Sequence, residues 1–95
     1  MFMLTLTHQI EIAPDVLVQE LNGELVLLNL TNEEYFGLDD VGNVMWSALK
    51  ETGLVQIAYD RLLEHYDVDP QVLKQDFLNL IEQFVEHDLV KITST

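Results

Sequence analysis

One stretch of the chain decides its fold: VLVQELNGELVLLNLTNEEYFGLDDVG, residues 16–42. Its two apolar runs are separated by Asn22-Gly23, a dipeptide that tolerates positive φ at both central positions of a type I′ hairpin turn. A second turn, at residues 31–33, leads into a short aromatic strand, Glu34 to Leu38. These residues predict a three-stranded antiparallel meander, whose central strand is the nearly continuous apolar run at residues 24–30.

Beyond this meander, the spacing of apolar residues changes from two to 3.6, which indicates helices. The first helix is expected to start from a cap at Asp39 or Asp40, and the third from Asp69-Pro70, as cap and first-turn proline. Three strands followed by three helices make an α+β domain, and a winged helix-turn-helix is its most economical packing. The first helix is expected to stop at Thr52-Gly53. Val55, Ala58, Leu62 and Tyr66 mark the second, and the third is expected to end near His87-Asp88.

The whole chain, residues 1–95, is expected to form a single domain. Its 17 acidic and 4 basic residues give a formal net charge of −13, which repels phosphate backbones and anionic lipid surfaces. There is no cysteine, so disulfides and thiol chemistry are excluded. The N-terminus does not read as a signal peptide, and no apolar run approaches the roughly 18 residues of a membrane span. We therefore expect a cytoplasmic protein that does not contact a membrane.

Side chains that could support catalysis or metal binding show no suitable spacing. The histidines, His8, His65 and His87, form no ligand-spaced motif, and Gly37 and Gly42 form no phosphate-binding loop. The carboxylates are spread over helix faces and turns, where acidic residues are usually solvated. The sequence thus predicts a protein that is not an enzyme and that holds no metal or cofactor.

A winged-helix shape raises nucleic-acid binding as a rival function, because the third helix of such folds commonly reads a groove of the duplex. Here that helix carries Asp76, Glu82 and Glu86 against a single cation, Lys74. Contact with a duplex requires several cations that neutralise phosphates and release counterions. We therefore expect no nucleic-acid partner, and a winged-helix nucleic-acid-binding regulator is the less favoured alternative.

The third strand, residues 33–38, lies at an edge of the predicted sheet. At the other edge, residues 4–12 alternate apolar and polar and could cover the first strand. For the edge at 33–38 two explanations stay open: residues 89–92 fold back and cover it, or a peptide from another molecule adds as a fourth strand. The same edge could also pair two copies of the chain.

The segment GELVLLNLTNEEYFGLDDVGNVMW, residues 23–46, resembles the PqqD-like family of RiPP recognition elements, which bind leader peptides in ribosomal-peptide biosynthesis. Downstream, YDVDPQVLKQDF, residues 66–77, resembles the family's link into its third helix. The likeness covers about residues 16–90, and Asp39 stands where the family usually has Asn. The matched positions are the strand end Leu27-Leu28-Asn29, the aromatic pair Tyr35-Phe36, and then Leu38-Asp39, Gly42 and Met45-Trp46.

This resemblance implies a stand-alone, non-catalytic protein that binds the leader segment of a ribosomally made precursor peptide. The leader would add as a strand to the edge strand 33–38 and pack on the third helix. The precursor would then be presented to a leader peptidase and a cyclase in lasso-peptide biosynthesis; a PqqD-type chaperone for a radical-enzyme peptide-modification pathway is the alternative. The chain would be a monomer or a dimer. The expected peptide-binding residues are Glu33, Glu34, Tyr35, Phe36, Gly37, Leu38, Leu73, Lys74, Phe77, Leu78, Ile81 and Val85.

The apolar residues of the third helix spread over roughly 160°, whereas a core-facing stripe needs only about 100°. The surplus flank holds Leu78, Ile81 and Val85, with Lys74 among them. Either this flank is squeezed between other elements and Lys74 snorkels outward, or it faces the leader as an apolar wall with one cation. The second interpretation predicts that Lys74→Glu weakens leader binding by about 1–3 kcal/mol.

Overall fold

The computed structural model describes residues 8–94, which form strands at both ends of a three-helix segment. The predicted order of three strands followed by three helices is confirmed, and one further strand stands at each end of the described chain. In chain order the elements are β1 (Gln9–Ile12), β2 (Val16–Leu21), β3 (Glu24–Asn29), β4 (Tyr35–Leu38), α1 (Asp40–Thr52), α2 (Val55–His65), α3 (Pro70–Glu86) and β5 (Val90–Ser94).

The antiparallel meander is formed by β2, β3 and β4, with β3 in the centre. Asn22 and Gly23, which join β2 to β3, have φ of 55° and 84°. Positive φ at both positions is what a type I′ turn requires, and Asn and Gly tolerate it best. The predicted meander and its first turn are therefore confirmed.

A second sheet pairs the two ends of the described chain: β1 is antiparallel to β5, and Ile12 lies opposite Val90. This corrects the expectation that residues 4–12 cover the strand at 16–21, because their described part, β1, pairs with β5 instead; residues 4–7 lie outside the described residues. It also excludes one explanation for the edge at 33–38: residues 89–92 do not cover the edge of β4, because within residues 8–94 β5 pairs with β1 and β4 pairs only with β3.

The helices lie on the face of the meander that carries Leu27 and Leu38. These side chains are buried in one core cluster with Trp46 of α1 and with Phe77 and Phe84 of α3. Trp46 meets the ring of Phe84 edge-on, with ring centroids 5.2 Å apart. The opposite face carries a row of three cross-strand neighbours, Leu17, Leu28 and Tyr35, of which Leu17 is 41% and Tyr35 75% exposed.

The helix starts agree with the predicted caps. Asp39 caps α1, where its Oδ1 accepts a hydrogen bond of 2.7 Å from the Gly42 N–H. Asp69 caps α3 in the same way, through the N–H of Gln71 at 2.8 Å, and Pro70 occupies the first turn. These caps satisfy N–H groups that have no partner within the helix, and each typically contributes about 1 kcal/mol. The cap on Asp39 lets β4 pass into α1 after a single residue.

Candidate functional site

The free edge of β4 presents the backbone groups of alternate residues. The Asn29 N–H donates to the Glu34 carbonyl oxygen at 2.9 Å, which defines a hydrogen-bonded pair just before β4. Hydrogen-bonded and non-hydrogen-bonded pairs alternate along an antiparallel ladder. In the observed register, the N–H and C=O groups of Phe36 and Leu38 therefore face β3, whereas those of Tyr35 and Gly37 face away from it. Within residues 8–94, no strand pairs with this side of β4.

At its beginning, β4 lies against the end of α3. The Phe36 ring meets Phe84 edge-on, with centroids 5.6 Å apart, and lies 5.4 Å from the ring of His87. The Nδ1 atom of His87 is 3.2 Å from Glu34 Oε2. Both of these side chains are largely exposed, so this contact adds little stability. The aromatic contacts thus close this end of the space between β4 and α3.

Between β4 and α3 lies an open cavity of about 500 Å³, which we call the β4–α3 groove. Leu38, Met45 and Leu80 contribute apolar surface to it. Asp76, Asn79 and Gln83 of α3 give its far wall a polar rim, and Asp39 adds a second carboxylate. A strand added to β4 would run along this groove, and alternate side chains would point into it.

A smaller, more apolar cavity of about 180 Å³ continues the groove past Met45 and Asp76, which line both. It lies between α1, the segment after α2 and the start of α3. Val68 and Val72 line it and are 48% and 55% exposed. A peptide longer than β4 would meet apolar surface here as well.

The structure brings the predicted site residues on the β4 side to one edge. Phe36, Gly37 and Leu38 line the groove, whereas Tyr35 is exposed on the outer face of the meander. Glu33 lies in the turn before β4 with φ of 61°, and its N–H donates to the Asn29 carbonyl oxygen.

The predicted residues on α3 occupy two other faces of the helix. Leu73, Phe77 and Ile81 are core residues that are at most 5% exposed. A second group, which lies beyond the core stripe, is half-buried: Lys74, Leu78 and Val85. Viewed down the helix axis, these residues are rotated by about 120–160° from Leu80. Leu78 and Val85 pack against the core from that side. None of these six residues lines the β4–α3 groove, although Leu73 lines its apolar continuation, and a role for them in peptide binding stays a prediction.

The groove uses the flank of α3 on the other side of the core stripe. Asp76, Asn79 and Gln83, which sequence reasoning missed, lie within about 100° of Leu80 in the direction away from Lys74. Apolar periodicity favours the more apolar flank, and this wall is largely polar. The feature of the sequence that could have indicated this flank is Leu80, an apolar residue at the border between the core stripe and the polar flank.

Other kinds of site receive no support from the described part of the chain. Within residues 8–94, no three His, Asp or Glu side chains form a group that could hold a metal ion. None of the helices there combines the length and apolar character needed to cross a membrane. The two charged residues that line the groove, Asp39 and Asp76, are both acidic, and the sequence has no Lys or Arg before Lys50.

Comparisons with known proteins agree with this architecture. The structure is similar to TbiB1 in complex with the TbiA(beta) leader peptide, with a TM-score of 0.79 and 28% sequence identity over 90% of this chain and 99% of that one. It is also similar to a lasso peptide synthetase B1 complexed with the leader peptide, with a TM-score of 0.77 and 19% identity over 87% and 98% of the two chains. The second likeness concerns the fold alone. A comparison with curated proteins found no match. Residues 24–90 match the family model described as coenzyme PQQ synthesis protein D (PqqD). Since these residues make up more than half of the chain, the chain belongs to the PqqD family.

Proposed function

We propose that this chain binds the leader segment of a ribosomally made precursor peptide, without catalysis, and presents the precursor to processing enzymes of lasso-peptide biosynthesis. The observation that carries the proposal is the unpaired edge of β4 beside the β4–α3 groove. The proposal is also supported by the similarity to TbiB1, a protein of the same fold with 28% sequence identity that is complexed with a leader peptide. The leader adds as a fourth strand next to β4.

The contacts available at this edge set the expected affinity. Tyr35 and Gly37 together offer two N–H and two C=O groups, and four hydrogen bonds at about 1 kcal/mol each contribute ~4 kcal/mol. Three apolar leader side chains in the groove and its apolar continuation add about 2 kcal/mol each. Ordering a flexible leader costs about 2–5 kcal/mol. The balance of about 5–8 kcal/mol corresponds to a Kd between roughly 0.1 mM and 1 μM, which suits a carrier that must also release its peptide.

A PqqD-type chaperone that serves a radical enzyme is a second candidate, favoured by the description of the matching family model. The same edge and groove serve both functions, so the two differ in the precursor that binds and the enzymes that follow. For the lasso pathway these enzymes are a leader peptidase and a cyclase. The winged-helix description stays a prediction. A duplex partner is disfavoured because α3 carries three acids, Asp76, Glu82 and Glu86, against the single cation Lys74.

The test first locates a short precursor reading frame beside the gene for this chain. Its leader segment is then fluorescently labelled and titrated with the protein at fixed salt, and binding is followed by fluorescence anisotropy. The TbiA(beta) leader and a scrambled leader serve as comparison peptides. Saturable binding in the micromolar range, absent with the scrambled peptide, supports the proposal. Absence of binding at about 1 mM protein, well above the weak limit of the expected range, overturns it.

A further inference from the structure

Asn29, the last residue of β3, is a buried polar side chain with every polar atom engaged. It is only 3% exposed. Its Oδ1 accepts a hydrogen bond of 2.9 Å from the Thr31 N–H, which holds the turn between β3 and β4. Its Nδ2 donates to the carbonyl oxygens of Asp88, at 3.0 Å, and of His87, at 3.5 Å, just after α3. A buried amide is stable only when it is hydrogen-bonded in this way.

These contacts place Asn29 where the two walls of the β4–α3 groove meet. One wall of the groove, β4, comes directly after the turn that the Asn29 Oδ1 atom holds. The other wall, α3, ends just before Asp88, whose carbonyl oxygen accepts from the Asn29 Nδ2 atom. At this point the rings of Phe36 and His87 lie 5.4 Å apart, and the open cavity runs from Phe36 towards Leu38 and Asp76. A small change of angle at the meeting point moves the open end of the groove most.

We propose that Asn29 is a positioning residue that sets the separation of β4 and α3 and thereby the fit of the leader peptide. This inference rests on the proposed function, since it concerns the width of the proposed leader site. Asn29 is buried and does not line the β4–α3 groove; it lines a separate cavity next to Asp88 and Thr31. It can therefore affect the leader only by changing the positions of β4 and α3.

The N–H groups of Asp88 and Leu89 donate to the Val85 and Phe84 carbonyl oxygens and so satisfy the last turn of α3. The carbonyl groups of His87 and Asp88 lie beyond the helix and need a partner from another element. Asp88 adopts the left-handed conformation, with φ of 57°, which turns the chain out of the helix. The Asn29 amide satisfies its carbonyl group and ties this turn to the β3–β4 turn. Within residues 8–94, a second polar contact joins the end of α3 to the segment before β4, that of Glu34 with His87. Its side chains are about half exposed, so it holds the two walls only weakly.

The experiment compares Asn29→Ala with Tyr59→Phe. The Tyr59 hydroxyl donates to the Pro70 carbonyl oxygen at 2.7 Å and ties the opposite end of α3 to α2, so its loss removes a comparable hydrogen bond away from the junction. Asn29→Ser, which keeps a smaller polar group at the site, serves if the alanine variant does not fold. Thermal melts of each variant are recorded first, and all binding is measured well below the lowest melting temperature.

Two readouts separate positioning from stability alone. Leader affinity should fall about tenfold in Asn29→Ala and stay within about twofold of the parent in Tyr59→Phe. The proton NOE between the Phe36 and His87 rings, recorded without peptide, should weaken only in the Asn29 variants. An unchanged NOE with unchanged affinity overturns the inference, as does an equal loss of affinity in both variants. If the parent binds no leader, the proposed function fails, and the NOE still decides whether Asn29 positions the two walls.

Discussion

Replacing Gly37 by proline removes one N–H group from the free edge of β4 and leaves the pairing with β3 intact. The N–H of Gly37 faces away from β3 in the observed register, whereas the neighbouring Phe36 and Leu38 carry the ladder to β3. Gly37 does not have a positive φ, and proline is tolerated on an edge strand where the N–H faces away from the ladder. The substitution therefore tests the added strand with little effect on the fold.

The expected loss follows from one hydrogen bond. The missing bond contributes about 1 kcal/mol, and the leader carbonyl group that it leaves unpaired at a partly buried site raises the total to about 1–3 kcal/mol. A loss of that size increases the Kd of the leader by about 5- to 150-fold. The free energy of unfolding should stay within about 1 kcal/mol of the parent value, because proline also restricts the unfolded chain.

The matched control is Gly37→Ala, which keeps the N–H group. A Cβ atom at this position would meet no atom within 4 Å, so alanine fits without a shift of its neighbours. Both variants are titrated with labelled leader by fluorescence anisotropy, and their thermal melts are compared. If Gly37→Pro binds the leader as tightly as Gly37→Ala does, then the leader does not pair with the N–H of residue 37 and the strand-addition geometry is refuted.

Three further predictions concern the ladder, the groove and the cap of α3. Phe36→Pro should lower the melting temperature far more than Tyr35→Pro, because only the Phe36 N–H faces β3; equal melts would contradict the assigned register. Leu80→Gln should weaken leader binding about tenfold while Leu78→Gln leaves it nearly unchanged, since of these two residues only Leu80 lines the groove. Anisotropy titrations that give the reverse order would place the peptide on the other flank of α3. Asp69→Ala should cost about 1 kcal/mol of stability through the lost cap, measured by denaturant unfolding, and an unchanged unfolding midpoint would show that the cap is dispensable.

The parts of the fold that depend on neighbouring residues could be predicted from the sequence. Asn22-Gly23 determines its turn through φ alone, and Asp39 and Asp69 cap helices whose first N–H groups are two or three residues away. The pairing of β1 with β5 could not be predicted in this way. It joins residues such as Ile12 and Val90 across almost the whole described chain, and no local pattern records such a distant partner.

One part of the candidate site could be predicted from the sequence, and the other part could not. The edge strand follows from the meander, so the groove residues Phe36, Gly37 and Leu38 could be identified from the sequence. The face of α3 could not, because both flanks of the core stripe satisfy the helical period and the choice depends on where the sheet lies. Hydrophobicity indicated the flank of Leu78, whereas the groove is lined by the flank of Asn79 and Gln83.

The central claim, that a leader peptide adds as a strand to β4, is tested most directly by hydrogen exchange of individual backbone amides with and without leader, followed by NMR. The amides of Tyr35 and Gly37 should become protected on binding, because they face the free edge. The amides of Val18 and Glu20, which face the free edge of β2, should exchange as before, since the groove contains no residue of β2. Protection at Val18 and Glu20, or saturating leader without protection at Tyr35 and Gly37, would contradict the account.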